Sequence, residues 1–289
     1  MLVPLAYAAE NSGNSKSQKP VLSGNPAKDQ IKDQGQQSNK NKIQLIRNAT
    51  MKITYAGKTF LTDPMLSPKG AFEPFAGIAS NPTAELPFSV EEILTDVESV
   101  IVSHLHTDHF DPAAIQAISK KMPIFCQSGD ESQIEKEKFQ HVVPIKTSQT
   151  WGEITITRVD GKHGKGEILP LMGKVSGFVF QAKGEPTIYW VGDSIWCEEV
   201  KNAIDMYKPD IIITHSGGAT IPKYEPIIMD IEQTLATVKS APKAVIVAIH
   251  MESLDHCTVT RNMLRQSADK EGIPVSQLKI PGNGSIITF

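Results

Sequence analysis

"SHLHTDHFD", residues 103–111, holds three of the eight histidines in the chain together with two aspartates. The run directly before it, "VESVIV" at 97–102, is mostly apolar and is typical of a buried strand. Histidines two residues apart in an extended chain project to the same side, and Asp108 and His109 can join them once the loop turns. Imidazole and carboxylate groups are the ligands that a divalent cation such as Zn²⁺ prefers. The stretch therefore predicts a metal site at the end of a strand.

One loop rarely completes a metal site, so further ligands must come from elsewhere in the chain. Three candidates follow in order: His163 in the Gly-rich "DGKHGKG", Asp193 after the strand-like "TIYWV", and His250 at the end of "VIVAIH". Each of them taken alone would more often be structural. As an ordered set after the H-x-H-x-D-H pattern, they predict one site assembled from distant segments.

The composition divides the chain into three parts. "MLVPLAYAAE" is short and apolar and ends in an Ala-x-Ala pattern, so we expect residues 1–9 to be a signal-peptide remnant and the protein to be periplasmic or secreted, with a cytoplasmic location as the alternative. Residues 10–42 are rich in Asn, Gln, Ser, Lys and Gly, which predicts a disordered tether. Residues 43–289 then form one domain.

Within that domain, short strand-like runs come first and alternating helices and strands follow. "KIQLIR", "TMKITYA" and "KTFLTDP" read as strands, with a tight turn at Ala56-Gly57. A long loop at about 64–88 precedes the helix "SVEEILTDV", and Asp111-Pro112 is a good helix start, with Asp as the N-cap. The pattern indicates sheets covered by helices.

These motifs together resemble the metallo-β-lactamase superfamily over about residues 43–289. "FLTDP", "VSHLHTDHFD", "YWVGDS" and the final strand-end histidine all appear in the order of that family. Within it, the chain is most similar to the branch of ascorbate-6-phosphate lactonase and N-acyl-phosphatidylethanolamine phospholipase D. The resemblance implies an α+β fold, a four-layer αββα sandwich with its metal site at one sheet edge.

The resemblance also implies roles for the candidate ligands. One metal would be held by His104, His106 and His163, a second by Asp108, His109 and His250, and Asp193 would bridge the two. The cofactor would be one or two Zn²⁺ ions, with Mn²⁺ as the alternative. A metal-bound hydroxide would attack an ester, lactone or phosphodiester, so a small-molecule substrate is expected.

Other residues near these motifs are open to more than one interpretation. Asn48 in "RNAT" stands where the branch often has a histidine, and amides bind these metals poorly. His215 in "IIITHSGG" is either a substrate contact and proton donor or a residue behind the site. His256 in "SLDHC" is a candidate for the same cavity, and Asp63 is expected to orient a ligand. The candidates for catalytic roles are thus Asp108, Asp193, His215 and His256.

Two other classes of function stay open: a non-enzymatic metal-binding sensor or scaffold, and an iron oxidoreductase. The second is disfavoured because His106 stands where the flavin-linked di-iron branch has a carboxylate. A net charge of −3, from 29 basic and 32 acidic residues, argues against a general nucleic-acid binder. No apolar run is long enough for a membrane span. Three cysteines are too few for a disulfide framework, and the oligomeric state is left open.

Overall fold

A computed structural model describes residues 41–289. The predicted signal-peptide remnant at 1–9 and most of the predicted tether at 10–42 lie outside the described residues. The first strand begins at Lys42, and Asn41 is buried, with its side-chain amide donating to Glu185 at 2.5 Å. The last two residues assigned to the tether therefore belong to the domain.

The described residues form fourteen strands and seven α-helices. The strands are β1 Lys42–Arg47, β2 Thr50–Tyr55, β3 Lys58–Thr62, β4 Ser99–Val102, β5 Ile124–Gln127, β6 Val142–Ile145, β7 Ser148–Trp151, β8 Ile154–Asp160, β9 Ser176–Gln181, β10 Ile188–Trp190, β11 Ile211–His215, β12 Val245–Ile249, β13 Leu278–Lys279 and β14 Ile286–Thr288. The helices are α1 Val90–Leu94, α2 Pro112–Ala117, α3 Glu131–Lys136, α4 Leu169–Met172, α5 Glu198–Tyr207, α6 Ile231–Ser240 and α7 Arg261–Lys270. None of the described helices has the length and apolar character needed to cross a bilayer.

The strands make two seven-stranded sheets. The first has the order β14-β1-β2-β3-β4-β5-β6, and the second has the order β13-β12-β11-β10-β9-β8-β7. Strands β3 to β6 are parallel in the first sheet, and β10 to β13 are parallel in the second. In each sheet the remaining pairs are antiparallel, and β2 and β3 are joined by the tight turn predicted at Ala56-Gly57.

Alternation along the strands creates the layers. Trp190 and Ile213 face a core shared with the first sheet, whereas Tyr189 and Ile212 face the opposite way, toward apolar residues of α5, α6 and α7. In β4, Ile101 joins the shared core, and its neighbours pack against α1, α2 and α3. Two sheets packed face to face with helices outside each confirm the predicted four-layer αββα sandwich.

The helix predicted at Asp111-Pro112 also anchors the long loop. The Asp111 carboxylate is fully buried and accepts from the backbone N–H of Ala114 at 2.7 Å, as an N-cap should. Its second oxygen accepts from the backbone N–H of Ser67 at 2.6 Å. One side chain thus begins α2, directly after the histidine stretch, and fixes the start of the 64–88 loop.

We expect Asp111→Ala to destabilise the fold by about 2–4 kcal/mol, because it removes an N-cap and leaves a buried N–H without a partner. Asp111→Asn should lose less stability than Asp111→Ala but remain below the unaltered protein, since one amide oxygen can accept from only one of the two N–H groups. Ser89→Ala, which removes only the exposed cap of α1, is the matched control and should lose about 1 kcal/mol. Urea unfolding measures all three, and equal losses for Asp111→Ala and Ser89→Ala would contradict the dual role.

Candidate metal centre

The predicted ligands follow strand ends that meet at one edge of the sandwich. His104 comes just after β4, Asp193 after β10, and His250 directly after β12. Each of these strands is parallel to at least one neighbour, and their carboxyl ends open on the same side, where loops can converge. The backbone of His250 lies in the left-handed region at φ 61°, which turns its ring out of the strand direction.

The structure brings all seven predicted ligands together in two adjoining groups. In each group the candidate ligand atoms lie within 4.8 Å of one another; the first comprises His104, His106 and His163, and the second comprises Asp108, His109, Asp193 and His250. This division agrees with the one that the resemblance implied, except that Asp193, the expected bridge, falls in the second group. All of these side chains are buried except that of His106, which is half-buried.

Asp193 lies between the two groups. Its Oδ2 is 3.3 Å from Nε2 of His163 in the first group and 3.1 Å from Nε2 of His109 in the second. Its Oδ1 is 3.6 Å from Nε2 of His250. One carboxylate therefore reaches ligands of both groups, which is the placement expected of a bridging residue.

A hydrogen-bonded chain behind the site orients two of the histidines. Asp63 accepts from the backbone N–H and the hydroxyl of Ser103, at 2.7 and 2.6 Å. Its Oδ2 also lies 2.6 Å from Nδ1 of His109, and Oγ of Ser103 lies 3.0 Å from Nδ1 of His104. With Nδ1 engaged in each ring, Nε2 faces the site, as a metal-ligating histidine requires. This contact matches the orienting role expected of Asp63.

A hydrogen bond to Nδ1 orients His163 in the same way. Its Nδ1 donates to the carbonyl of Ile227 at 2.9 Å, which leaves Nε2 free toward Asp193. Burial lowers the pKa of His163 to about 4 and holds the pKa of His104 well below its usual range, despite the nearby Asp193 carboxylate. Both rings are therefore neutral at neutral pH, which is the form that binds metal.

His215 lies behind Asp193 and has no exposed surface. The indole N–H of Trp190 donates to its Nε2 at 2.9 Å, so the ring proton sits on Nδ1 and is directed at Oδ1 of Asp193, 2.5 Å away. Burial lowers the pKa of His215, which keeps the ring neutral. Of the two interpretations that the sequence left open, this geometry corresponds to a positioning residue and not to a substrate contact.

Asn48 takes its place beside the second group. Its amide nitrogen lies 3.3 Å from Nε2 of His250 and 3.2 Å from the carbonyl oxygen of Asp108. Its own amide oxygen has no hydrogen-bond partner among the described residues. Asn48 therefore supports two ligands from the turn between β1 and β2, at a backbone φ of 57° that asparagine tolerates.

The negative charges of the buried carboxylates in the cluster favour binding of a cation. Burial alone would raise the pKa of Asp108 and of Asp193, but the surrounding histidines hold both values well below the usual range. The same carboxylates raise the pKa of His250 to about 10 against the opposing effect of burial. Two buried carboxylates so close together need positive charge between them, and the five imidazoles offer nitrogen ligands. The residues therefore fit one or two divalent cations.

A cavity of about 400 Å³ opens onto this cluster. His106, Asp108, His163 and Asp193 form its polar wall, and the other lining residues are Phe75, Leu105, Thr107, Met172, Ile221, Ile227 and His256. His256 thus lines the cavity, as one interpretation predicted. Its ring is largely buried, burial lowers its pKa, and Nδ1 has no hydrogen-bond partner among the described residues.

The sequence did not identify several of these residues as part of the site. Phe75, Met172, Ile221 and Ile227 carry no signal beyond apolar character, because they reach the cavity only through tertiary packing. Asp255, which binds the loop that carries Phe75, was also missed, although it stands next to the singled-out His256.

Comparison with known proteins agrees with this architecture. Residues 58–251 match the model of the beta-lactamase superfamily domain. The "UPF0173 protein YddR" of Bacillus subtilis is 35% identical over 253 residues, which cover 86% of this chain and 99% of that protein. A "UPF0173 metal-dependent hydrolase" of Methanosphaera stadtmanae is 26% identical over 210 residues, or 69% of this chain and 83% of that protein.

Two solved structures share both fold and sequence with the chain. A possible metal-dependent hydrolase from Veillonella parvula is 34% identical with a TM-score of 0.84, covering 86% of this chain and all of that one. An isothiocyanate hydrolase from Delia radicum gut bacteria is 39% identical with a TM-score of 0.82, covering 86% of this chain and 99% of that one. With the seven ligands at one sheet edge, these matches show that the chain belongs to the beta-lactamase superfamily and, within it, to the UPF0173 family.

Proposed function

We propose that this protein is a metal-dependent hydrolase of small, neutral, apolar electrophiles, with isothiocyanates as the leading substrate class. The observation that carries the proposal is the composition of the cavity beside the metal centre. The described residues that line it include no Lys or Arg, and beyond the metal ligands they are mostly apolar. An uncharged substrate with an aromatic or alkyl group suits such a wall, because burial of apolar surface drives its binding.

One relative supports the same class. The isothiocyanate hydrolase that is 39% identical to this chain matches it over nearly its whole length. The reaction is chemically matched to the site: R–N=C=S and water give R–NH₂ and carbonyl sulfide. The oxygen of water joins the central carbon, both of its hydrogens end on nitrogen, and the carbon–nitrogen bond breaks.

The chain's own residues divide the work of this reaction. His104, His106 and His163 would hold one cation, Asp108, His109 and His250 a second, and Asp193 would contact both. When bound, a divalent cation lowers the pKa of water toward neutrality and offsets negative charge that develops on the substrate. Asp108 and Asp193 line the cavity as ionised carboxylates and would accept hydrogen bonds from the attacking water, which orients it toward the substrate.

His256 is the candidate contact to the substrate heteroatom. It lines the cavity across from the cluster residues, and its Nδ1 has no partner among the described residues. A neutral imidazole can donate one hydrogen bond and accept another. In this proposal His256 binds the nitrogen of the substrate and assists its protonation.

A carboxylic ester or lactone is the second candidate class, supported by the resemblance to the lactonase-containing branch. Such substrates are also neutral and would suit the same cavity. A phosphodiester is disfavoured, because its permanent negative charge would find no Lys or Arg among the described lining residues. A non-catalytic scaffold would not need a substrate-sized cavity beside the ligands, and an iron oxidoreductase is disfavoured by His106, which stands where the flavin-linked di-iron branch has a carboxylate.

The purified protein should contain about one to two equivalents of zinc or manganese per chain, because the two ligand groups can hold one ion each. Removing the metal should lower the melting temperature by roughly 5–10 °C, since ligands drawn from distant segments bind metal only in the native state. Elemental analysis and calorimetry with and without a chelator measure both quantities. His141→Ala, at an exposed histidine outside the cluster, is the control and should keep its metal. Metal-free protein that cannot be reconstituted would refute the proposal.

Benzyl isothiocyanate should be hydrolysed to benzylamine and carbonyl sulfide with saturation kinetics. Phenyl acetate, a γ-lactone and bis-p-nitrophenyl phosphate complete the panel, in that expected order of decreasing kcat/KM. His256→Ala should lower kcat on the best substrate by about 10²-fold, as loss of a proton-transfer group does, while bound metal is unchanged. Preference for the phosphodiester would show that the charge argument is wrong.

Asp193→Asn should be far more harmful than His215→Ala, because the first change removes a charge that both ligand groups share. We expect a loss of about 10³-fold or more in kcat, equal to ~4 kcal/mol, together with loss of metal. His215→Ala should retain metal and lose about 10–100-fold, as partners behind metal ligands do. Trp190→Phe, which removes only the indole donor to His215, should retain metal and lower kcat less than His215→Ala does. The reverse order, with His215→Ala stripped of metal and Asp193→Asn active, would contradict the site.

A further inference from the structure

The apolar wall of the cavity includes one residue from the long loop between β3 and α1. Phe75 lines the cavity and lies edge-on to the His256 ring, with 5.2 Å between ring centroids. The chain around it, residues 73–80, is largely exposed and contains no helix or strand. Little packing therefore holds Phe75 in place, so some other contact must position it.

Asp255 supplies that contact. Its carboxylate accepts hydrogen bonds from the backbone N–H groups of Phe75, Ala76 and Ile78 at 2.9, 3.0 and 3.1 Å, and from the Asn81 side chain at 2.8 Å. A longer contact of 3.4 Å reaches the backbone N–H of Ala79. One carboxylate therefore gathers most of the N–H groups in this turn of the loop into a single nest.

The segment that carries Asp255 is bonded to the same loop at two further points. Asp255 directly precedes His256 and follows the segment that leaves β12 at His250. Its own backbone N–H donates to the side-chain oxygen of Asn81 at 2.8 Å, and the Thr83 N–H donates to the Ser253 carbonyl. The bonds to Asn81 and to the loop N–H groups hold the pKa of Asp255 at about 2, although burial acts in the opposite direction. The carboxylate is thus an ionised acceptor at any working pH.

We propose that Asp255 determines the substrate specificity of this site indirectly. It fixes the 73–80 turn so that Phe75 packs against His256 and completes the apolar wall. Asp255 does not line the cavity and acts only through Phe75, so it is a positioning residue. The inference rests on the proposed function in that the selected substrates carry an apolar group large enough to reach Phe75. It adds that the preference for such groups depends on a carboxylate outside the cavity.

The test compares Asp255→Asn, Phe75→Ala and the double variant, all as the full chain. Glu252→Gln is the matched control: it removes a carboxylate from the same segment, but that side chain pairs with Arg261 and not with the loop. The kinetic readout is KM and kcat on benzyl and methyl isothiocyanate. If the unaltered protein hydrolyses no isothiocyanate, benzyl and methyl acetate replace them, so failure of the proposed substrate class is seen separately. Chymotrypsin cleavage after Phe75 supplies a readout that needs no activity.

We expect Asp255→Asn to raise KM for the benzyl substrate about 3- to 10-fold with little change in kcat, because an amide can satisfy fewer of the loop N–H groups. The methyl substrate, too small to reach Phe75, should be unaffected. Phe75→Ala should give the same pattern, and the double variant should be no worse than Phe75→Ala alone. Chymotrypsin should cut Asp255→Asn several times faster than the Glu252→Gln control.

Three outcomes would overturn the proposal. Unchanged cleavage and unchanged KM in Asp255→Asn would show that the loop does not depend on the carboxylate. Equal losses on benzyl and methyl substrates would indicate a general structural defect. Additive effects in the double variant would show that Asp255 acts on the site by a route other than Phe75.

Discussion

The carboxylate of Asp193 is the point on which the site depends. It lies at the carboxyl end of β10, buried, with histidines from both ligand groups within 3.1–3.6 Å and His215 directly behind it. A buried carboxylate is stable only with compensating charge and hydrogen bonds. The protein meets that requirement by packing two sheets so that their strand ends, each with an imidazole, converge there. The packing of the four-layer sandwich therefore brings candidate ligands from distant parts of the sequence to one carboxylate.

The sequence singled out the seven candidate ligands that the structure brings together, because the chemistry leaves few alternatives. Three histidines and an aspartate within six positions have no simple structural explanation. The distant candidates follow strand-like runs, and the ends of parallel strands meet at one edge of a sheet. The layers also followed from periodicity, since β4 and β10 to β12 read as buried strands. The same approach could not find Asp63–Ser103–His104 as a hydrogen-bonded chain or the Trp190 donor to His215, because such contacts join residues by direction and not by pattern.

The residues of the cavity wall could not be predicted from the sequence for a different reason. Phe75 sits in an exposed loop, and Ile227 lies on a segment that also supplies a carbonyl to Nδ1 of His163. Apolar residues in loops have no periodicity from which to predict their direction. Single polar side chains bind this loop: Asp255 accepts from the backbone of Phe75 and Ala76, and the buried Arg47 donates to the carbonyls of Ala84, Met65 and Ser67. Those contacts become visible only when the chain is folded.

Chemistry and selectivity are therefore held by different parts of the molecule. The reacting groups stand on parallel strand ends backed by buried hydrogen bonds, where small displacements would be costly. One part of the apolar wall, Phe75, stands on a loop that is fixed by the Asp255 carboxylate, and substitutions there can alter the wall without disturbing a ligand. A fold organised in this way can keep one metal centre while its substrates change, so the superfamily assignment constrains the reaction more tightly than it constrains the substrate. In our proposal, the loop between β3 and α1 contributes to substrate preference through Phe75, whereas the histidine cluster determines the reaction.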